Sequence, residues 1–185
     1  MGEITRKASH ILFGLIVAYI AFRYGQNAFY ASQIMVIFAV LAYNWAGVHA
    51  ESSRFKGLFR AINGVLERDD IAMAGEAAVL FSASIMAVYW VFGKESAIAA
   101  GIVWAIGDGV CSLVGMALHK KGKSLEGMAA FMAFSLAGLA LLYPHKALGM
   151  AVVVVGSAIT EYISGNVNDN ITVPLAAGLL SSVFL

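Results

Sequence analysis

Charge is scarce in this chain. Of its 185 residues only 12% are Asp, Glu, Lys or Arg, against 61% hydrophobic, and the mean hydropathy is +0.82. A soluble domain carries about 25% charged residues to coat its core. The polar surface here is too small for that, so an integral membrane protein is expected. No long polar stretch is left for a separate soluble catalytic domain, and any chemistry has to sit on apolar spans and their short loops. The net charge of +1 supplies no bulk field for nucleic acid. Cysteine is nearly absent: Cys111 stands alone, which excludes an internal disulfide and a cysteine-based metal site. There are two prolines, and neither interrupts a span. Pro144 falls between apolar windows, and Pro174 falls in the first turn of the last one, where a missing N–H costs little. No small-residue cleavage site follows the charged amino terminus, so the first span is expected to be retained.

What is present is a series of apolar windows. They run from about His10 to Arg23 (with a helix beginning near Thr5), Ala28 to Val48, Ala72 to Phe92, Ala97 to Leu118, Leu125 to Tyr143, Ala147 to Ser164 and Ile171 to Leu185. Crossing the hydrocarbon takes about 20 residues per helix, so the expected fold is all-α. It is a single membrane domain over residues 1–185, a polytopic bundle of about seven transmembrane helices. The fourth window is expected to be interrupted at Gly107-Asp108-Gly109. Seven spans divide the basic residues unevenly. Arg6, Lys7, Arg54, Lys56, Arg60, Arg68, Lys120, Lys121 and Lys123 fall on one side, and Arg23, Lys94 and Lys146 on the other, which accounts for all 12. The positive-inside rule then places the amino terminus in the cytoplasm. From His49 to Asp70 the chain is polar enough to leave the bilayer. Phe55, Leu58, Phe59, Ile62, Val65 and Leu66 recur there at helical spacing, which predicts an amphipathic helix in the cytoplasmic interface.

Ionisable groups within spans are costly and usually functional. His10, Glu76, Glu126 and Glu161 lie at the cytoplasmic ends of their spans, Asp169 lies just outside, and Asp108 lies deeper. The flanking glycines can open the helix at Asp108, and non-helical backbone at that depth is tolerated only where it lines a cavity. In Leu118-His-Lys-Lys-Gly-Lys-Ser-Leu-Glu-Gly127, three lysines (Lys120, Lys121, Lys123) crowd a loop whose Ser124 is a natural cap for the next helix. A helix N-terminus among lysines suits phosphate. The letters Gly122-Lys123-Ser124 are not a P-loop, because no glycine stands at the required spacing and no strand precedes them. In Glu161-Tyr-Ile-Ser-Gly-Asn-Val-Asn-Asp-Asn170-Ile-Thr-Val-Pro174, the side chains of Asn166, Asn168, Asp169 and Asn170 offer hard oxygen ligands. With Asp108, the carboxylates of Asp169 and Glu161 can hold Mg²⁺, which takes one or two carboxylates plus substrate phosphates. Cationic loops, buried acids and helix N-termini on one face describe a nucleotide–Mg²⁺ site at the bilayer edge. The second substrate is then a lipid alcohol or lipid phosphate from the bilayer itself.

At these residues the chain resembles a known family. Arg6-Lys7-x-x-His10, Gly107-Asp108-Gly109 with Ser112-Leu-Val-Gly115, Gly122-Lys-Ser-Leu-Glu-Gly127, and Glu161 with Asp169-Asn170 and Pro174 look like the CTP-dependent lipid kinases. That family includes dolichol kinase, phytol kinase and the yeast-type diacylglycerol kinase, and it is similar in turn to the phosphatidate cytidylyltransferases. The resemblance runs from Arg6 to Pro174, and the signature around Asp108 and Lys123-Ser-Leu-Glu126-Gly is its most specific part. It implies transfer of the γ-phosphate of CTP to the hydroxyl of a polyprenol-type alcohol. Lys120, Lys121 and Lys123 would bind the CTP phosphates, with Ser124, Glu126 and Asn170 in the nucleotide site. Asp108 and Asp169, with Glu161, would hold Mg²⁺. Glu161 or Asp108 would orient or deprotonate the lipid hydroxyl, and Arg6, Lys7 and His10 would clamp phosphate. Arg54, Arg60 and Glu67 match the family's loop residues only loosely. The family's Asp-Gly element often continues with Ala, whereas here Val110-Cys111 follows. Two other readings use the same features: a phosphatidate cytidylyltransferase, in which the nucleotidyl group moves and pyrophosphate leaves, and a small ion-coupled transporter with acids at a broken helix.

Overall fold

The computed structural model describes residues 2–49, 73–119, 122–164 and 167–185, and among these it is all-helical, with no strand. Six helices follow in order: α1 (Gly2–His49), α2 (Glu76–Phe92), α3 (Lys94–Ala117), α4 (Leu125–Ala140), α5 (Ala147–Ile163) and α6 (Asp169–Phe184). The proposed interfacial helix, with Arg54, Lys56, Arg60 and Glu67, lies outside the described residues, as do Lys120, Lys121 and Asn166.

The expected first and second spans are two arms of α1, with no loop between them. They meet at Gly25, whose φ of 76° and ψ of −173° break the helix. Glycine visits positive φ at no steric cost. The contacts of the two arms fix their directions. In the first arm, Ile11 faces Gly109, Gly14 faces Ala105, and Ala18 faces Gly101, so this arm runs antiparallel to α3. In the second arm, Phe29 stacks on Tyr89 while Val40 lies against Gly75, so this arm runs antiparallel to α2. Helices α2 and α3 are themselves an antiparallel pair turning at Gly93, with Phe81 stacked on Trp104. The two arms of α1 therefore run in opposite directions, and the chain reverses at Gly25. The open end of the second arm is pinned by Asn44. Its Nδ2 donates to the Ala74 carbonyl at 2.8 Å, and its Oδ1 accepts from the Ala74 N–H at 2.9 Å.

Helix α3 is the central rod, buried along most of its length, and Ala97–Ala100 and Val103–Ala105 are nearly free of solvent contact. It does not break at Gly107-Asp108-Gly109 as expected. Asp108 and Gly109 have helical dihedrals, and a π-helical turn, Val103–Asp108, carries the chain through. The two glycines serve packing. A Cβ on Gly107 would come within 2.8 Å of Phe131, and one on Gly109 would collide with Ile11. Without side chains there, α4 and the first arm of α1 close onto α3 from either side. Helix α4 runs antiparallel to α3, with Gly127 at Cys111 and Gly138 at Ile102 and Ile106. Helices α5 and α6 form the last antiparallel pair, with Gly156 against Leu180, and Gly178 seats α6 on Val88 of α2.

Two segments are long and apolar enough to cross a membrane, Ile4–Gly47 and Lys94–Ala117. The other four helices are apolar but have 16 or 17 residues. At 1.5 Å per residue they reach about 24–26 Å, a little short of the roughly 30 Å hydrocarbon core.

Candidate functional site

The antiparallel packing brings five chain segments to one end of the bundle. The first arm of α1 delivers Lys7 and His10, and the π-turn of α3 delivers Trp104 and Asp108. The loop before α4 delivers Lys123, the end of α5 delivers Glu161 and Ser164, and the start of α6 delivers Asp169 and Asn170. Asp108, Glu161 and Asp169 each present a carboxylate oxygen, and these oxygens lie within 4.8 Å of one another. Asp108 is 6% exposed and Glu161 is 4% exposed. Three acids so close, two of them buried, need countercharge.

Two cationic arms supply it. On one side Lys7 Nζ sits 3.5 Å and His10 Nε2 sits 3.3 Å from Asp108 Oδ2. His10 Nε2 is also 3.3 Å from the carbonyl of Trp104. Both partners only accept, so this nitrogen carries the ring proton. On the other side Lys123 Nζ lies 3.2 Å from Glu161 Oε1 and 3.1 Å from Asp169 Oδ1. Lys123 also donates to the Glu161 carbonyl, and to Ser164 Oγ at 2.8 Å. Ser164 Oγ in turn lies within hydrogen-bond distance of Asp169 Oδ1 and of the Glu161 carbonyl, its one proton serving one of them. Partial burial pulls the pKa of the Lys123 ammonium down, but the hydrogen bond and charge of Asp169 and the charge of Glu161 outweigh burial. The net shift is upward, so Lys123 stays protonated.

Ser124 takes the cap position expected of it: its Oγ accepts from the Gly127 N–H at 3.1 Å, which commits the hydroxyl to the helix. Glu126 is exposed in the first turn of α4, and Arg6 is half-buried beside Lys7 on α1. Asn170 does not point at the carboxylates. Its Oδ1 accepts from Trp104 Nε1 at 3.2 Å, and its Nδ2 donates to Asn168 Oδ1 at 2.7 Å. Glu76 lies in the first turn of α2, outside the acidic cluster.

Two members of the site are not apparent from the sequence. Ser164 reads there as an ordinary helix-end serine. Trp104 reads as core, although it lies one turn before Asp108, a spacing that puts it on the same helix face. It is 1% exposed, packed between the rings of His10 at 3.7 Å and Phe81 at 3.6 Å.

The donor set is all hard oxygen, which suits Mg²⁺ or Ca²⁺ over a soft metal. The three carboxylate oxygens are near enough for one such ion to draw them together. A divalent cation bound among the three carboxylates would bring positive charge to the site for a polyphosphate. No protein-family model, curated protein or solved structure matches this chain.

Proposed function

We propose that this chain is a multi-pass membrane enzyme that transfers the γ-phosphate of CTP to the hydroxyl of a membrane isoprenoid alcohol of the dolichol or phytol type. In this reading the two arms of α1 and helices α2 to α6 are the seven spans, and the amino terminus and the site face the cytoplasm. One observation carries the reading. The acids and cations of the family-like motifs, separated by up to 162 positions between Lys7 and Asp169, share a single ion-pair cluster. The choice of CTP rests on the resemblance of those motifs.

Phosphoryl transfer asks a protein mainly to position groups and neutralise charge. Asp108, Glu161 and Asp169 would hold Mg²⁺, which when bound offsets charge on the β- and γ-phosphates. Lys123 reaches two acids in the resting site and is 29% exposed, so its ammonium can turn from them to a phosphate oxygen. Lys7 and His10 approach from the first arm of α1 and hold Asp108 in place, and the Lys7 ammonium can also reach the same phosphates. Glu161, the driest of the three acids, would accept a hydrogen bond from the lipid hydroxyl.

Purified protein is incubated with γ-labelled CTP or ATP, Mg²⁺ and, in separate reactions, a panel of polyprenols or phosphatidate. Label is expected on the lipid with CTP, and Asp108→Asn is expected to lose at least about a thousandfold of the rate while inserting normally. Label leaving as pyrophosphate would identify a cytidylyltransferase instead. An ion-coupled carrier finds less support, because among the described residues the acidic cluster gathers at one end of the bundle.

A further inference from the structure

We infer that Trp104 is a positioning residue that sets the spacing of the acidic cluster, by tying the first arm of α1 and the first turn of α6 to the π-turn of α3. This inference rests on the reading that Asp108, Glu161 and Asp169 hold a divalent cation.

Trp104 makes four directed contacts. The rings of His10 and Phe81 both lie within 3.7 Å of its ring centre, which is possible only if they cover opposite faces. Its carbonyl faces His10 Nε2, the same nitrogen that reaches Asp108. Its indole N–H donates to Asn170 Oδ1. The Asn170 amide is oriented by Asn168, whose Oδ1 accepts from its Nδ2 and from its backbone N–H. The indole therefore holds, on one side, the partner of Asp108 and, on the other, the residue next to Asp169. Those two acids sit on different helices, and this link joins the two. The π-helical turn places Trp104 at this junction, and such turns recur at functional sites.

The inference is tested with the full-length chain in detergent, reading Mn²⁺ affinity directly by electron paramagnetic resonance. Trp104→Phe keeps a ring between His10 and Phe81 but deletes the N–H. Asn170→Ala deletes the acceptor from the other helix. Each single variant is expected to weaken Mn²⁺ binding about 3- to 10-fold, the worth of one hydrogen bond. In the double variant the losses are expected not to add, because both remove the same link. Additive losses would overturn the inference, as would unchanged affinity in Asn170→Ala, a variant that leaves the buried ring stack untouched. Wild-type protein that binds no Mn²⁺ removes the cation reading and this inference together. Wild-type protein that binds Mn²⁺ yet labels no lipid removes the kinase alone and leaves the role of Trp104 standing.

Discussion

Lys123 is the cation shared by two acids of the cluster. It bridges Glu161 and Asp169 and is partly open to solvent. Removing one partner of a buried ion pair costs about 3–5 kcal/mol, and solvent screening at this half-open lysine reduces that to roughly 1–3 kcal/mol. Lys123→Met is therefore expected to lower the thermal unfolding midpoint in detergent as well as to abolish transfer. The pH dependence follows from the raised pKa of Lys123. Its stabilising contribution is complete below the ordinary lysine value of 10.5 and is lost as pH rises through the higher folded value. The gap in midpoint between wild type and Lys123→Met should stay flat from about pH 7 to 9 and close only in strong alkali. A gap that closes below the ordinary lysine value of 10.5 would show that the ammonium is not paired as described.

At the scale of helices, Gly107 and Gly109 let α4 and the first arm of α1 approach α3 closely enough for Asp108 to meet its partners. A valine at Gly109 would press on Ile11, one position from His10, and overpacking of this kind costs about 1–3 kcal/mol. Gly109→Val is expected to raise the half-saturating Mg²⁺ concentration severalfold in the transfer assay. An equivalent change at Gly115, which has open space around its Cβ position, is expected to leave that concentration alone. The helices themselves were readable in advance, because apolar windows report burial in lipid or core without any knowledge of partners. The acids were readable because a carboxylate in an apolar run is too costly to be idle. The behaviour of Gly107-Asp108-Gly109 was not. Paired glycines signal either an opened helix or a close contact, and only the neighbours Phe131 and Ile11 decide for the second. Trp104 was hidden for a related reason, since its hydrogen-bond partners lie 94 and 66 residues away along the chain.

Across the whole molecule, the reversal at Gly25 and the antiparallel pairs beyond it put Lys7, Lys123 and Asp169 at one end, with Arg23, Lys94 and Lys146 toward the other. The proposed topology predicts opposite labelling at the two ends. In a Cys111→Ser background, a cysteine replacing Thr5 should react with an impermeant maleimide only from the cytoplasmic face, and one replacing His145 only from the opposite face. Labelling of both from one side would remove the seven-span arrangement.

The order in which the charges appear along the chain has a consequence for biosynthesis. Lys7 and His10 precede Asp108, and Lys123 precedes Glu161 and Asp169, so each acid leaves the ribosome after its own counterion has already been made. If the helices cross the bilayer as proposed, none of these three carboxylates enters lipid before its partner has been translated.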